Sequence, residues 1–187
     1  DLVRSRGLGD VYKRQILTFF IVEGERVMVQ DVLVDGAEQF SERKIRKVMQ
    51  TRRKKVYKSE VLMQDRFRIG DFYRNKGFLD VVVSSPTVDI DEERNKARIS
   101  ISISEGPRYE IGKIQVSTST ILTQKELKKA ITLRSGRQYD QRKWDETTSN
   151  ISSLFADKGY LRTEVFVDPV RHPDAGVVDF DIHYKES

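Results

Sequence analysis

The chain has 187 residues and a net charge of +5, and its residues are 37% hydrophobic and 34% charged. Its longest apolar run, residues 16–22, has the length of a strand and falls far short of the roughly 20 residues of a membrane-spanning helix. There is no cysteine, and the only histidines are His172 and His183. This composition excludes disulfides, thiolate zinc sites and cysteine nucleophiles, and we expect no cofactor.

Residues 1–15 differ in character from the rest of the chain. The run from Asp10 to Gln15 resembles one reading frame of a sequencing adaptor. We therefore predict that 1–15 is an adaptor-derived artefact and leave it out of the fold reasoning. The alternative is a native, flexible basic tail. Without this segment the chain has 30 basic and 27 acidic residues, a net charge of +3.

An internal repeat organises the remaining sequence. The tetrapeptide Lys-Gly-Phe-Leu at 76–79 recurs as Lys-Gly-Tyr-Leu at 158–161, an offset of 82 residues. Hydrophobic positions on either side of it align at the same offset. The repeat predicts two units, 26–106 and 107–187, and residues 16–25 are predicted to form the last strand of a preceding unit.

Each unit begins with a strand and a short helix. The alternation of valines in the first strand slips by one place at residues 30–31, which predicts a β-bulge, and the second unit repeats the slip. Ser41 and Thr123 are the predicted N-caps of the short helices. Thr123 and Glu126 have the spacing of a capping box.

A second, longer helix and a hairpin complete each unit. The apolar spacing predicts this helix at about 59–76 and again at 141–158. Gly77 and Gly159 lie where a left-handed residue ends such a helix. The hairpin strands are predicted at 79–90 with 97–104, and at 161–171 with 177–185.

The order β-α-α-β-β defines an α+β fold of tandem units, and we predict a three-stranded mixed sheet covered by two helices in each. Pro86 and Pro169 fall in the first hairpin strand of their units. A proline cannot donate a hydrogen bond within a central ladder. We therefore place the proline-bearing strand at the edge of each sheet and the last strand in the centre.

The residues that end the long helix, 73–78, and the Glu-Gly turns at 23–24 and 105–106 resemble the hallmarks of the polypeptide-transport-associated (POTRA) domain. The tandem arrangement resembles the periplasmic arms of outer-membrane protein assembly factors, and the resemblance covers residues 16–187. The family usually has Gly-Asn after its first strand. In the second unit Ser-Thr-Ser at 117–119 stands there instead, so that turn differs.

The resemblance implies a non-enzymatic scaffold in the periplasmic portion of a bacterial outer-membrane protein. Its implied partners are unfolded outer-membrane β-barrel proteins and assembly lipoproteins. The alternative within the family is an arm of another outer-membrane transporter, from two-partner secretion or translocation assembly. A basic nucleic-acid-binding module is the rival from another class.

The sequence contains no catalytic motif. His172 lies in a turn-like stretch and His183 on the polar side of the last strand, which predicts two surface histidines. There is no Ser-His-Asp order, glycine-rich phosphate loop or metal-ligand spacing. We therefore predict that the chain is not an enzyme.

The edge strands are the candidate client-binding site, because strand addition takes its affinity from main-chain hydrogen bonds and only coarse specificity from side chains. Prolines just beyond each strand are predicted to limit the reach of pairing. The alternative is an edge that binds nothing. The candidate residues are Asp80, Val81, Val82, Val83, Ser84 and Ser85 in the first unit, and Arg162, Thr163, Glu164, Val165, Phe166 and Val167 in the second.

Nine basic residues lie between Glu42 and Glu60 with no acid among them. They could bind nucleic acid, attract anionic lipid headgroups or form a solvated face. Only Tyr57 adds an aromatic ring nearby and the family works beside a membrane, so we favour lipid and expect no nucleic acid. The cluster comprises Arg43, Lys44, Arg46, Lys47, Arg52, Arg53, Lys54, Lys55 and Lys58.

Overall fold

The computed structural model describes residues 25–185. The predicted adaptor segment 1–15 and, apart from Glu25, the predicted strand at 16–25 lie outside the described residues. No helix within 25–185 combines the length and the apolar character needed to cross a bilayer. The elements are β1 (Met28–Asp35), α1 (Glu42–Val48), α2 (Ser59–Arg74), β2 (Val82–Val83), β3 (Thr87–Asp91), β4 (Lys96–Ser104), β5 (Glu110–Val116), α3 (Gln124–Ala130), α4 (Gln141–Asp157), β6 (Glu164–His172) and β7 (Val177–Lys185).

The strands form two mixed sheets. In the first, β4 lies in the centre, parallel to β1 and antiparallel to β2 and β3. In the second, β7 lies between the parallel β5 and the antiparallel β6. The α+β prediction is confirmed, and in each sheet the last strand is central and the proline-bearing side is the edge. The one departure is that the edge of the first sheet is split into β2 and β3.

Both first strands contain the predicted bulge. The register shifts just after Val29 in β1 and just after Ile111 in β5. At each shift a loop residue fills the gap in the ladder: the N–H of Lys54 donates to the carbonyl of Val29 at 2.8 Å, and that of Gly136 to Ile111 at 2.7 Å. Each bulge therefore anchors the loop that leads to the long helix.

The short helices begin as predicted but are capped differently. The Thr123 hydroxyl accepts from the N–H of Glu126 at 3.3 Å, and the Glu126 carboxylate accepts from the N–H of Thr123 at 2.8 Å. This is the predicted capping box. Ser41 accepts no such bond, and its helix has Lys44 at the third position, where no carboxylate can reciprocate.

Each unit has its own core between its sheet and helices. In the first, Tyr73 is fully buried and meets the rings of Phe40, Phe72 and Phe78 edge to face, with centroids 5.2–5.7 Å apart. Phe155 is the buried equivalent in the second unit. Favourable edge-to-face packing adds to the burial of these rings.

The loop after α2 docks the first unit against the second. The Gly77 carbonyl accepts from the N–H of Tyr109 at 2.8 Å, and Leu79 packs against the core of the second unit. Asp80 accepts from the Tyr109 hydroxyl at 2.6 Å and pairs with Nε of Arg171 at 2.8 Å. Burial and the neighbouring Asp80 raise the pKa of Tyr109 to about 12, so its phenol stays a donor at neutral pH.

We call this contact the joint: Gly77, Leu79 and Asp80 of the first unit against Tyr109 and Arg171 of the second. The residues that carry the family resemblance stabilise it. Glu105 of the Glu-Gly turn accepts from the Tyr73 hydroxyl at 2.8 Å, and from the N–H groups of Glu38 at 3.0 Å and Gln39 at 3.1 Å. Gly106 follows with a φ of +68°, a conformation that glycine adopts without steric cost. The Glu105 carboxylate thus connects three places: the end of α2, the loop between β1 and α1, and the turn between the units.

Candidate functional site

The second sheet ends in one long edge strand. All nine residues of β6 pair with β7, from Glu164 opposite Lys185 to His172 opposite Val177. Within the described residues, β7 is the sole strand neighbour of β6. The strand therefore presents one row of main-chain groups on the side away from the sheet.

The hydrogen bonds of β7 identify which groups face outward. The Ile182 carbonyl accepts from the N–H of Ser117, on the β5 side, at 2.9 Å. Since main-chain groups of successive strand residues alternate in direction, Ile182 does not bond to β6. Val167, which lies opposite Ile182, therefore directs its N–H and carbonyl away from the sheet. The same alternation applies to Val165, Pro169 and Arg171.

Pro169 lies inside β6, within the range 161–171 predicted for this strand. It takes one of the outward positions, so its missing N–H removes no bond to β7. The strand consequently continues to His172. Pro169 instead removes one hydrogen-bond donor from the outer row. This weakens pairing with another strand but leaves the length of β6 unchanged.

Of the candidate residues 162–167 in the second unit, four lie in β6 and two precede it. Arg162 and Thr163 precede β6, and the Thr163 hydroxyl donates to the Tyr160 carbonyl at 3.3 Å. They belong to the turn that ends α4, because Gly159 with φ +92° must first reverse the chain. Glu164 is the first residue of β6.

The two faces of β6 differ. Val167 is buried and Val165 packs against the core, whereas Phe166 is 42% exposed. The Phe166 ring stacks on His183 with centroids 5.2 Å apart, and Nδ1 of His183 lies 3.6 Å from the Asp168 carboxylate. A strand added here would meet an aromatic and charged surface on its solvent side.

The predicted edge strand at 80–85 is wrong in extent. Only Val82 and Val83 form β2, and the N–H of Ser84 adds one more bond to β4 at 2.9 Å. Asp80 and Val81 belong to the joint loop, because Asp80 is held by the second unit. Ser85 precedes Pro86 in the break before β3, where proline interrupts the ladder.

Arg66 covers the outer side of β2. Its Nε donates to the Val83 carbonyl at 2.8 Å. Val83 lies opposite Ile103, at a position whose main-chain N–H and carbonyl point away from β4. The aligned residue in the second unit is Thr148, whose hydroxyl donates instead to the Trp144 carbonyl at 3.2 Å. The first edge is thus short and covered by Arg66, while the second is long and has Thr148 at the aligned position.

Sequence reasoning did not identify this role of Arg66. A single arginine on a helix that contains two others carries no distinguishing signal. The one available hint was the difference between Arg66 and Thr148 at an otherwise aligned position.

The basic cluster spans α1 and the following loop, but some of its members have structural roles. Nη2 of Arg46 pairs with Glu42 at 2.6 Å. Arg52 donates to the carbonyl groups of Arg46 and, at 3.1 Å, Lys47 at the end of α1. An open groove of about 660 Å³ lies here. Its lining residues are Glu42, Arg43, Arg46, Lys47 and Arg52.

The remaining bases of the cluster have a different setting. Lys44 lies over the ring of Phe40, with 5.9 Å from its Nζ to the centroid, and Lys54 anchors the β1 bulge through its main chain. The side chains of this group are exposed. They comprise Arg43, Lys44, Lys47, Arg53, Lys54, Lys55 and Lys58.

The histidines are both partly exposed. Nε2 of His172 lies 3.2 Å from the Asp179 carboxylate, and His183 stacks on Phe166. Among the described residues, no group of three histidine or carboxylate side chains is arranged to hold a metal ion. Both imidazoles lie at the surface of the second sheet, each beside a carboxylate.

The POTRA family model, described as a surface antigen variable number repeat, matches residues 27–106 and 109–187. The chain belongs to the POTRA family.

Its sequence is similar to two curated proteins named outer membrane protein assembly factor BamA. The protein of Neisseria meningitidis serogroup B is 26% identical over 175 residues, 88% of this chain and 22% of that protein. The protein of Buchnera aphidicola is 25% identical over 181 residues, 91% of this chain and 29% of that protein. The chain thus spans less than a third of the length of these relatives.

The fold is similar to two solved structures. One is Haemophilus influenzae BamA POTRA3-5, with a TM-score of 0.76 and 15% identity, covering 86% of this chain and 65% of that one. The other is Haemophilus ducreyi BamA lacking POTRA domains 1-3, with a TM-score of 0.68 and 15% identity, covering 87% and 30%.

Proposed function

We propose that the chain is part of the periplasmic arm of an outer-membrane protein assembly factor and acts as a non-enzymatic scaffold. In this role it binds unfolded outer-membrane β-barrel proteins by strand addition to β6 and works together with assembly lipoproteins. Family membership and the names of the similar proteins support the assembly role. The geometry of β6 supports the mode of binding.

The observation that carries the proposal is the outward row of main-chain groups on β6. Val165 and Val167 each direct an N–H and a carbonyl away from β7, two residues apart. An extended client segment can pair with both, because this spacing matches the repeat of an antiparallel or parallel ladder. Recognition through the main chain accepts many different client sequences.

Pro169 sets a limit to this pairing. It leaves a carbonyl but no N–H between Val167 and Arg171, and Arg171 is held by Asp80 at the joint. The edge therefore offers two successive complete donor and acceptor pairs, at Val165 and Val167, before the gap at Pro169. Short pairing allows a client to be released, since each main-chain bond contributes only about 0.5–1.5 kcal/mol.

We further propose that the exposed bases of the cluster face an anionic lipid surface. Each base held near such a surface contributes about 1 kcal/mol, so the exposed members together favour association even if some lie too far away. Binding to vesicles with anionic headgroups should fall steeply with salt, whereas neutral vesicles should not bind. Stronger binding to an oligonucleotide than to anionic vesicles would contradict this assignment.

The proposed strand addition is tested with Val165→Pro and Val165→Ala. Both variants lose the packing of the valine, but only proline loses the outward N–H. We expect a peptide from an unfolded outer-membrane β-strand to bind the alanine variant with almost unchanged affinity. The proline variant should bind several-fold more weakly, as read from amide chemical shifts during titration.

Each variant is first compared with the wild type by its denaturant midpoint and its amide spectrum, so that a folding defect is recognised. In the wild type the shifts should concentrate on β6. Equal affinities for the two folded variants, or shifts confined to the helices, would reject strand addition at β6.

A further inference from the structure

The second unit contains a cavity of about 470 Å³ between the end of α3, the loop that follows it and the start of α4. Part of its lining is apolar and includes the buried residues Ile111 and Leu133. The rest is dominated by positive charge, because the described lining residues include four bases and one carboxylate. The bases are Lys129, Arg134, Arg137 and Lys143, and the carboxylate belongs to Asp140.

The carboxylate of this lining is already paired. Asp140 accepts from Nε of Arg142 at 3.0 Å and from its Nη2 at 2.6 Å. Lys143 also has a partner, since its Nζ lies 2.6 Å from the Glu146 carboxylate. Across residues 25–185, the lining bases that form no ion pair are Lys129, Arg134 and Arg137. Their charge is therefore available to a negatively charged ligand.

Arg134 differs in its setting from its counterpart in the first unit. Arg52, which aligns with it, donates to two carbonyl groups at the end of α1. In the second unit the end of α3 is held instead by Asn150, whose Nδ2 donates to the Ala130 carbonyl at 3.1 Å. The Arg134 guanidinium is therefore not used to close the helix and lies at the cavity.

The charge and the size of the cavity together indicate the kind of ligand. Guanidinium groups donate pairs of parallel hydrogen bonds, a geometry that matches the oxygens of phosphate. Lys143, which stands where the first unit has Val61, adds a further positive charge. A phosphate ion alone would fill only a small part of the space, whereas cavities of this size hold organic ligands against apolar side chains. A phosphate ester suits both parts of the lining.

We propose that this cavity binds a phosphate monoester, with its phosphate group held by Arg134 and Arg137 and its carbon body against Ile111 and Leu133. The two lysines of the lining contribute positive charge. A soluble ester and the headgroup of phosphatidic acid present the same terminal phosphate, so the experiment compares the two sources. The proposal concerns the second unit alone and is independent of strand addition at β6 and of lipid contact by the basic cluster.

The test is a titration of the full chain at constant ionic strength, followed by amide chemical shifts. The probes are inorganic phosphate, glycerol 3-phosphate and dihexanoyl phosphatidic acid, with chloride as the reference anion. We expect the shifts to concentrate on residues 129–143 and both esters to bind more tightly than inorganic phosphate. Tighter binding of phosphatidic acid would identify a lipid headgroup as the ligand, and equal or tighter binding of glycerol 3-phosphate would identify a soluble ester.

Arg134→Gln should weaken the binding of glycerol 3-phosphate about tenfold, because charge-assisted hydrogen bonds to phosphate are lost. Arg134→Lys should recover only part of this loss, since an amine keeps the charge without the planar fork. Lys143→Val, which introduces the residue of the first unit, should also weaken binding. The matched control is Lys55→Gln, which removes the base aligned with Arg137 and should leave the affinity unchanged.

Each variant is first shown to keep the denaturant midpoint and the amide spectrum of the wild type outside the substituted site. An unchanged affinity in folded Arg134→Gln would overturn the proposal. Shifts of equal size in the two units, or equal losses with Arg134→Gln and Lys55→Gln, would also overturn it, because phosphate would then respond only to diffuse positive charge.

Discussion

Asp65 and Thr147 occupy the same position of the long helix in the two units and anchor the preceding loop with different chemistry. The fully buried Asp65 carboxylate accepts from the N–H groups of Gln50 at 2.7 Å and Thr51 at 2.8 Å. The buried Thr147 hydroxyl accepts from the N–H of Thr132 at 3.0 Å. One anchor is ionised and the other is neutral, so the units differ in their dependence on acid.

The first prediction is that Asp65 makes the first unit acid-sensitive. Burial would raise the pKa of the Asp65 carboxyl, but hydrogen bonds from Thr51 and Gln50 outweigh it and lower that pKa below its ordinary value. The stabilisation is present above the unfolded-state pKa and is lost as pH falls through the lowered folded-state value. The free energy of unfolding of the first unit should therefore decrease below about pH 4, as measured by urea titration with amide signals.

Asp65→Asn is the matched change. It should cost about 1–3 kcal/mol at pH 7, because an amide NH₂ then faces a buried N–H. It should also flatten the acid dependence of the first unit. Fluorescence of the single Trp144, which reports on the second unit, should hardly change. An acid profile of the first unit that is the same with aspartate and asparagine would refute the assignment.

The glycine pair provides the second prediction. Gly77→Ala and Gly159→Ala impose the same left-handed strain, at least about 1 kcal/mol. Only Gly77→Ala also drives a methyl group into Gln138 and Arg108. Thermal unfolding should show a larger loss for Gly77→Ala, and amide shifts should spread across the joint. Equal losses of stability in the two variants would mean that the Gln138 and Arg108 side chains move aside without a free-energy cost.

The third prediction is a gain of binding. Pro169→Ala restores an outward N–H in the middle of the β6 edge. We expect the strand peptide to bind roughly 2–10-fold more tightly, the effect of one added main-chain bond. Pro173→Ala, which lies in the turn after β6, serves as the control and should leave the affinity unchanged. An affinity of Pro169→Ala no higher than that of the control would contradict the outward phase of this position.

The fourth prediction concerns the first edge, which Arg66 covers. Arg66→Met keeps the aliphatic stem but frees the Val83 carbonyl. The strand peptide should then shift the amide signals of β2, which it leaves unperturbed in the wild type. Arg94→Met, in an exposed turn, controls for the loss of one positive charge. If β2 responds equally in the wild type, Arg66 does not block access.

Side-chain patterns were sufficient to predict the repeat, the sheet order and the bulges. A bulge shifts every later side chain to the other face, so the slip after Val29 is visible as a change in alternation. Gly77 and the pair Thr123 and Glu126 are recognisable because the backbone at these places tolerates few residue types. Such features depend on neighbours close in sequence.

The sequence could not predict in the same way which residues of β6 direct their main-chain groups away from the sheet. Side-chain alternation shows which residues face the core, but it does not show on which side each N–H forms its bond. Pro169 was therefore assigned to an edge strand, but its outward position within that strand could not be predicted. The anchoring role of Asp65 could not be predicted either, because its partners are main-chain N–H groups, which almost every residue has.

Leu79 lies in the first unit by sequence but packs against the core of the second. A protein fragment cut at the repeat boundary, beginning at residue 107, would lack this apolar side chain and the carbonyl of Gly77. A fragment of the second unit that keeps both groups therefore begins earlier than the repeat, at or before Gly77. Fragments of this chain should therefore overlap over the loop after α2, so that the second unit keeps its contacts with Gly77 and Leu79.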